Sequence, residues 1–272
     1  MSLITISQST GSGGYKIARL VAGGLDIEFY DDLRLQEEAA RLGIRKEDIK
    51  SMNEKAPGFF DQILSKKPEM YLEFMEAVIY EIARRGSGVI IGHGSPLLLR
   101  NFDCAMHVFI HASESTRVDN YINQHNLSRE TAEKLIRKND NEKSGFFRFA
   151  FHLNWNDPSL YDLIINTGKM GPEMAAKLII KAARSDEMNE CGLGALEAME
   201  RLSLEKKIKA ALLKNNINPT LMHIEVPETG VAVVRGISIA RQMKERIISV
   251  VRSVPEITEV KSEISVIDQG YS

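Results

Sequence analysis

Short apolar runs alternate with longer amphipathic segments along the first part of the chain. Residues 3–7 and 104–110 are continuous apolar or β-branched runs, whereas apolar residues recur at helical spacing in 14–23 and 68–85. Continuous runs are typical of strands covered on both faces, and the helical spacing is typical of helices that bury one face. This alternation predicts an α/β fold, in which right-handed crossovers place the strands parallel in one sheet.

The same two signals predict the other elements of this part of the chain. Residues 46–60 are polar and interrupted by Pro57 and Gly58, so we expect only short helical pieces there. Ser128 is a typical residue to begin a helix, and so is Pro172. The remaining predicted strands are 26–30, 88–92 and 163–166, and the remaining predicted helices are 33–42, 95–100, 113–125, 128–149 and 172–184.

The composition changes after residue 185. Residues 186–201 are acidic and include Gly192 and Gly194, so we predict a flexible linker there. Beyond it, the pattern predicts a small α+β unit of roughly 70 residues, near the lower size limit for independent folding. We therefore expect a domain at 1–185 and a second at 202–268, the latter with helices 202–213 and 238–251, strands 222–226, 231–235 and 259–266, and a hairpin turn at 228–230.

Composition and charge exclude several classes of protein. Apolar residues make up 43% and charged residues 26% of the chain, which are ordinary values for a globular protein. A net charge of −2 provides no global field to attract nucleic acid. No leader pattern and no apolar run long enough to span a membrane are evident, so we expect a cytoplasmic protein. Cys104 and Cys191 are far apart and argue against a zinc site or a disulfide framework.

A glycine-rich turn between the first strand and the first helix is the main candidate for chemistry. Glycine tolerates positive φ, and the amide groups of such a turn and of the following helix N-terminus bind anions. The usual P-loop pattern, GxxxxGK followed by Ser or Thr, is incomplete, because Gln8 replaces its first glycine and Gly14 its lysine. A tight turn without a ligand therefore stays open as an alternative. The predicted phosphate-binding residues are Thr10, Gly11, Ser12, Gly13, Gly14, Tyr15 and Lys16.

Further motifs follow this loop in a fixed order over residues 1–185. They are Ile4-Thr5-Ile6-Ser7 with the glycine-rich loop, Phe29-Tyr30-Asp31, Gly92-His93-Gly94, Arg137-Lys138-Asn139-Asp140 and Trp155-Asn156-Asp157-Pro158. This series resembles the cytidylate-kinase-like family of P-loop nucleoside monophosphate kinases. The resemblance implies a three-layer P-loop kinase-like fold, with helices on both faces of a parallel sheet. It also implies ATP and Mg²⁺ as cofactors and phosphoryl transfer to a nucleoside monophosphate of the CMP type.

The resemblance also assigns roles to residues outside the loop. Asp31 and His93 follow predicted strands, where ligands bind in open sheets. Lys16 is open to a second interpretation as a solvated surface residue, and Arg137 with Asp140 as a surface ion pair. The implied catalytic residues are Lys16, Arg137, Asp140 and Arg148, and the implied substrate contacts are Asp31, His93 and Lys143. Asp31 is open to a substrate or a magnesium role, and no residue is assigned as a metal ligand.

Charged positions are where the chain departs from the family pattern. Gln8 and His93 stand where the family has arginines, and Lys143 replaces a second arginine of the lid. Phosphoryl transfer depends on cations that stabilise the transferring group, and loss of one costs on the order of 10³ in rate. An inactive nucleotide sensor or scaffold is therefore the alternative to an active kinase.

The C-terminal unit has a resemblance of its own. Its matching segments are 206–212, 230–236 and 253–260, which include a hairpin glycine, Gly230, and the turn Val254-Pro255-Glu256. These segments resemble a BON domain. The resemblance implies contact with a protein or phospholipid partner, whereas a solvated face is the alternative interpretation of Lys206, Lys207, Lys209 and Lys214.

Overall fold

The computed structural model describes residues 2–44, 68–189, 193–238 and 240–267. The N-terminal part of these residues forms a five-stranded sheet in the order β2-β3-β1-β4-β5, with every neighbouring pair parallel. The predicted α/β fold with a parallel sheet is therefore confirmed. The strands are β1 (Ser2–Gln8), β2 (Phe29–Tyr30), β3 (Ser87–Ile91), β4 (Ala105–His111) and β5 (Leu163–Asn166).

Helices cover both faces of this sheet, because successive strand residues point to opposite sides. Ile4 and Ile6 pack with α1 and α7 on one face, whereas Leu3 and Ile90 pack with α2, α3 and α6 on the other. The helices are α1 (Gly14–Leu25), α2 (Asp32–Arg41), α3 (Pro68–Ala83), α4 (Ser95–Leu98), α5 (Glu114–His125), α6 (Arg129–Phe151) and α7 (Pro172–Ala183).

Some details of this part of the chain differ from the sequence predictions. Strand β2 begins at Phe29 rather than at residue 26, because Asp26 adopts a left-handed conformation with φ 55° and caps α1. Cys104 is disulfide-bonded, so the prediction of cysteines without a disulfide is wrong. Separation along a sequence does not limit cysteine pairing, since the fold decides which thiols meet. The short helices predicted for 46–60 lie outside the described residues.

The C-terminal part forms a separate three-stranded sheet in the order β6-β7-β8. Strand β6 pairs antiparallel with β7, as the hairpin prediction requires, and β8 pairs parallel with β7. Helices α9 and α10 bury their apolar residues, among them Leu204 and Val251, against this sheet. The BON-like assignment stays a prediction. The elements are α8 (Asp186–Asn189), α9 (Leu193–Lys214), β6 (Met222–Glu228), β7 (Val231–Ser238), α10 (Arg241–Arg252) and β8 (Glu259–Val266).

Much of the segment predicted as a linker, residues 186–201, is helical. It contains α8 and the first turns of α9, which continues without a break into the C-terminal unit. Met199 is only 3% exposed and belongs to the core cluster that also contains Val78 and Ile82 of α3. Apolar contacts with α3 thus order residues whose acidic composition predicted flexibility. No helix in the described part of the chain is long and apolar enough to cross a membrane.

Candidate functional site

The glycine-rich turn closes tightly between β1 and α1. Gly11 and Gly13 both have φ 83°, and a Cβ at position 11 would lie 2.6 Å from the carbonyl oxygen of Arg117. The Ser12 amide donates to the Ser9 carbonyl at 3.0 Å, and the Ser12 hydroxyl donates to the Ile110 carbonyl of β4 at 3.1 Å. No side chain of the described residues caps α1, so the amide groups of its first turn can bind a ligand.

Gln8 occupies the space next to Gly14. A Cβ at position 14 would lie 2.7 Å from the Gln8 side-chain oxygen and 2.9 Å from the Gln8 Cβ. A side chain at position 14, such as the usual P-loop lysine, would therefore collide with Gln8. The two departures from the P-loop pattern are thus linked by sterics.

The turn opens into a cleft of about 810 Å³ at the carboxyl edge of the sheet. Parallel α/β sheets bind ligands at this edge, where strand ends and helix N-termini meet. Helices α5 and α6 and the segment after β5 form the remaining walls. The cleft is lined by the predicted residues Thr10, Gly11, Ser12, Gly13, Tyr15, Lys16, Asp31 and Lys143, and by others that include Gln8, Asp32, Thr116, Asn120, Tyr121, Gln124, Asn139, Glu142, Thr167 and Lys169.

Lys143 brings a buried ammonium group to the start of the turn. Its Nζ donates to the Gln8 carbonyl at 3.1 Å and to the Ser7 hydroxyl at 3.4 Å. The ammonium also lies 4.3 Å from the centre of the Trp155 ring, whose indole N–H donates to the Ser144 hydroxyl. Lys143 is only 6% exposed. An indole face attracts a cation, so buried Trp155 helps to hold Lys143 in the wall of the cleft.

Two aspartates stand across from the turn at the start of α2. Asp31 caps this helix by accepting from the Arg34 amide, and it accepts from the Tyr15 hydroxyl at 2.6 Å. Burial raises the pKa of Tyr15 to about 12, with a further contribution from the Asp31 hydrogen bond. The Asp32 carboxylate lies 2.7 Å from Nε2 of His93. Both carboxylates line the cleft beside the glycine-rich turn.

His93 is buried behind these carboxylates. Its backbone has φ 54°, and its Nδ1 lies 3.0 Å from the Tyr71 hydroxyl. With Asp32 ionised, Nε2 donates to the carboxylate, and a neutral ring accepts from Tyr71 at Nδ1. The side chain of His93 has no exposed area. The structure therefore places His93 where it orients Asp32, rather than among the residues that line the cleft.

Arg137 and Arg148, two of the implied catalytic residues, do not line the cleft in this structure. The Arg137 guanidinium is exposed and donates to Glu114 at 2.8 Å, and Arg148 donates to the Asn154 side chain at 3.3 Å. Lys16 does line the cleft, although its ammonium pairs with Glu173 at 2.8 Å.

Asp140 pairs with Arg117 at 2.7 Å, so the surface pair considered between Arg137 and Asp140 is not formed. Helices α5 and α6 pack side by side, and acidic and basic residues of α5 supply the partners. Asp140 lies behind the turn and holds Arg117, which itself was missed by the sequence analysis. Arg117 also donates to the Thr10 carbonyl at 3.2 Å.

Asn120 and Thr167 complete the support of the turn. The Asn120 amide donates to the Gly11 carbonyl at 2.9 Å, and the Thr167 hydroxyl donates to the Ser12 carbonyl at 2.9 Å. Arg117 and Asn120 lie three positions apart and so share a face of α5. Two polar residues on one face of the helix that follows a predicted strand are a pattern from which the sequence could have predicted this role.

Comparison with known proteins places the chain among nucleotide kinases. The model of the cytidylate kinase-like family matches residues 3–169. A cytidylate kinase from Pyrococcus horikoshii is 26% identical over 182 residues, which are 66% of this chain and 87% of the relative. A cytidylate kinase from Methanothrix thermoacetophila is 24% identical over 184 residues, which are 67% of this chain and 98% of the relative.

A solved structure is similar in fold. It is titled as an uncharacterized protein from Eubacterium ventriosum, and it is 23% identical with a TM-score of 0.50. The match covers 68% of this chain and 99% of that structure. The family match extends from β1 through β5, the part that carries the glycine-rich turn and the cleft. The chain therefore belongs to the cytidylate kinase-like family of nucleotide kinases.

Proposed function

We propose that the protein binds ATP at its glycine-rich turn and transfers the γ-phosphoryl group to a nucleoside monophosphate of the CMP type. One observation carries the proposal: a single cleft joins the turn, the buried Lys143 ammonium and the carboxylates of Asp31 and Asp32. The family supports a nucleotide kinase in general, and the residues of the cleft support the finer assignment.

Phosphate binding is assigned to the turn and to two lysines. The first amides of α1 point along the helix axis at an incoming anion, which glycine at positions 11 and 13 lets approach closely. Lys143 is buried and is therefore screened less by water than Lys16, whose side chain is 62% exposed. We assign Lys143 the larger share of the charge stabilisation that the family's lid arginine provides.

Asp31 and Asp32 fit the coordination chemistry of a magnesium–nucleotide complex. Mg²⁺ prefers oxygen donors and is often held through one or two carboxylates together with substrate phosphates. Among the described residues, no group of three or more His, Cys, Asp or Glu side chains is arranged to hold a metal ion by itself. When bound, the ion neutralises charge on the phosphates. Tyr15 and His93 fix the two carboxylates by hydrogen bonds.

A catalytically inactive nucleotide sensor is the second candidate. Its support is the placement of Arg137 and Arg148 outside the cleft, together with neutral Gln8 where the family has arginine. As a sensor, the protein would bind a nucleotide at the turn without transferring a phosphoryl group. The BON-like unit, itself a proposal, would then contact a protein or phospholipid partner.

Two measurements separate the candidates. ATP-dependent phosphorylation is assayed over a panel of nucleoside monophosphates, and nucleotide binding is followed by thermal shift. Turnover with CMP that Lys143→Met removes, but that Lys134→Met on the same helix leaves unchanged, supports the kinase. A thermal shift without turnover on any acceptor supports the sensor, and neither shift nor turnover contradicts both.

A further inference from the structure

A chain of charged side chains connects the C-terminal unit with α3. Lys207 of α9 lies 2.7 Å from Glu81 and 2.8 Å from Glu256. Arg84, one residue beyond α3, lies 2.7 Å from Glu81 and 2.8 Å from Glu256. The Ser203 hydroxyl donates to Glu81 at 3.1 Å. Glu81, Lys207 and Ser203 are buried, so this cluster is a fixed part of the contact between the two units.

The same chain continues from α3 to α2. Arg85 lies 3.7 Å from Glu81 and 2.8 Å from Glu38, and it donates to the Tyr30 hydroxyl at 3.2 Å. Glu38 is only 1% exposed and also accepts from Arg41 at 2.9 Å. A carboxylate this deeply buried depends on its cationic partners, because removal of a partner leaves an uncompensated charge.

Helix α2 carries the two carboxylates of the cleft. Asp31 caps its first turn and Asp32 is its first residue, and Glu38 lies further along the same helix. Ion pairs and hydrogen bonds therefore run without interruption from Glu256 through Glu81 and Arg85 to the helix that begins at the cleft.

A second contact reaches the other end of α2. Leu213 of α9 packs against the core cluster that contains Ile44. A Cβ at Gly43, just beyond α2, would lie 2.7 Å from the ammonium of Lys214, the last residue of α9. Helix α9 thus touches the segment that follows α2 and is linked through α3 to the helix itself.

We propose that the C-terminal unit positions α2, and with it Asp31 and Asp32, through Lys207 and Glu256. The family match ends at residue 169, so α9 and the second sheet lie outside the part of the chain that the family model matches. In this chain the unit is a structural support of the cleft wall that carries Asp31 and Asp32. The consequence for turnover rests on the proposed kinase function, whereas the consequence for α2 does not.

Hydrogen exchange on the full-length protein tests the effect on α2 directly. Lys207→Met is expected to raise the exchange rates of α2 amides about tenfold, and Lys207→Arg to restore protection. Arg235→Met is the matched control, because Arg235 pairs with Glu225 and Glu263 inside the C-terminal unit. Faster exchange confined to α3 and α9, or equal to that of the control, overturns the proposal.

Kinetics supply a readout that a purely stabilising role would not move. Glu256→Gln, a milder change for use if Lys207→Met does not fold, is expected to raise the Mg²⁺ concentration for half-maximal turnover about fivefold, while the thermal shift induced by ATP without Mg²⁺ stays unchanged. An unchanged Mg²⁺ requirement, or a loss of ATP affinity without Mg²⁺, contradicts a positioning role. If the wild-type protein shows no turnover, the kinase function fails, and the exchange of α2 in Glu256→Gln still decides this proposal.

Discussion

The side-chain oxygen of Gln8 lies 2.7 Å from the position that a Cβ on residue 14 would occupy. Gln8 ends β1 and Gly14 begins α1, so the pair lies at the two ends of the glycine-rich turn. Position 14 therefore has glycine where the P-loop pattern has lysine, and Gln8 fills the space that a side chain there would need. Lys143 of α6 donates to the backbone carbonyl of Gln8 and so brings a cationic group to the same turn.

Restoring the P-loop lysine should require both positions to change. Gly14→Lys alone is expected to destabilise the protein by about 1–3 kcal/mol through overpacking against Gln8. The double variant Gln8→Gly with Gly14→Lys should recover most of that loss and bind ATP more tightly than the wild type. A double-mutant cycle of unfolding free energies measures the coupling. Additive effects would show that the two positions do not share this space.

The sequence predicted the strands and helices around the turn because their periodicity is local. Residues 163–166 and 259–266 were located without error, and the series of motifs correctly led to the family. The prediction placed the start of α9 at residue 202, but the helix begins at Leu193. Nothing in the acidic composition of 186–201 shows that Met199 packs on α3. That information is a tertiary contact, which a local pattern does not contain.

The candidate site was predicted unevenly for a related reason. Backbone features such as the glycine turn are set by neighbouring residues and were found. Partners of charged side chains depend on packing between helices, so Arg117 was missed and Arg137 was expected in the cleft. His93 was placed next to the correct strand end, but its lack of exposed side-chain area, and hence its indirect role, appears only in the structure.

Lys143→Met should weaken ATP binding without unfolding the protein. A hydrogen bond to a charged group is worth roughly 1.5–3 kcal/mol, so the expected rise in Kd is about 10- to 100-fold. Methionine keeps the length of the side chain next to Trp155 while it removes the ammonium group. Isothermal titration with ATP gives the affinity, and Lys134→Met on the same helix should leave it unchanged. An unaltered Kd in Lys143→Met would remove Lys143 from the phosphate site.

Acid should weaken the contact between the C-terminal unit and α3. Burial by itself raises the pKa of Glu81, but hydrogen bonds from Lys207 and Arg84 outweigh it and lower the net pKa. The pKa of Glu256 is likewise lowered, with burial opposed by Lys207 and Arg84. A carboxyl group whose pKa is lower in the folded than in the unfolded protein stabilises the fold fully at pH values above its unfolded-state pKa. This stabilisation is lost as the pH falls through the folded-state pKa.

Melting temperatures from pH 7 to pH 3 measure this loss. Glu81→Gln should lower the melting temperature at pH 7 and flatten its decline below about pH 4.5, the ordinary glutamate pKa. Glu76 has the opposite effect on stability, because burial raises its pKa despite the nearby Lys206. Its contribution to the free energy of unfolding therefore falls as pH rises. Glu259→Gln, at an exposed position of β8, is the control and should keep the wild-type slope. A wild-type slope in Glu81→Gln would contradict the prediction.

Gly11 should be the least replaceable residue of the turn. Gly11→Ala places a Cβ 2.6 Å from the Arg117 carbonyl at φ 83°, a backbone conformation unfavourable for alanine. We expect a loss of about 1–3 kcal/mol in unfolding free energy and a smaller ATP-induced thermal shift. Gly145→Ala is the matched control, because Gly145 lies within α6 and a Cβ there meets no atom within 4 Å. Alanine should stabilise that helix by roughly 0.5–1 kcal/mol, so the same substitution is expected to have opposite signs at the two positions.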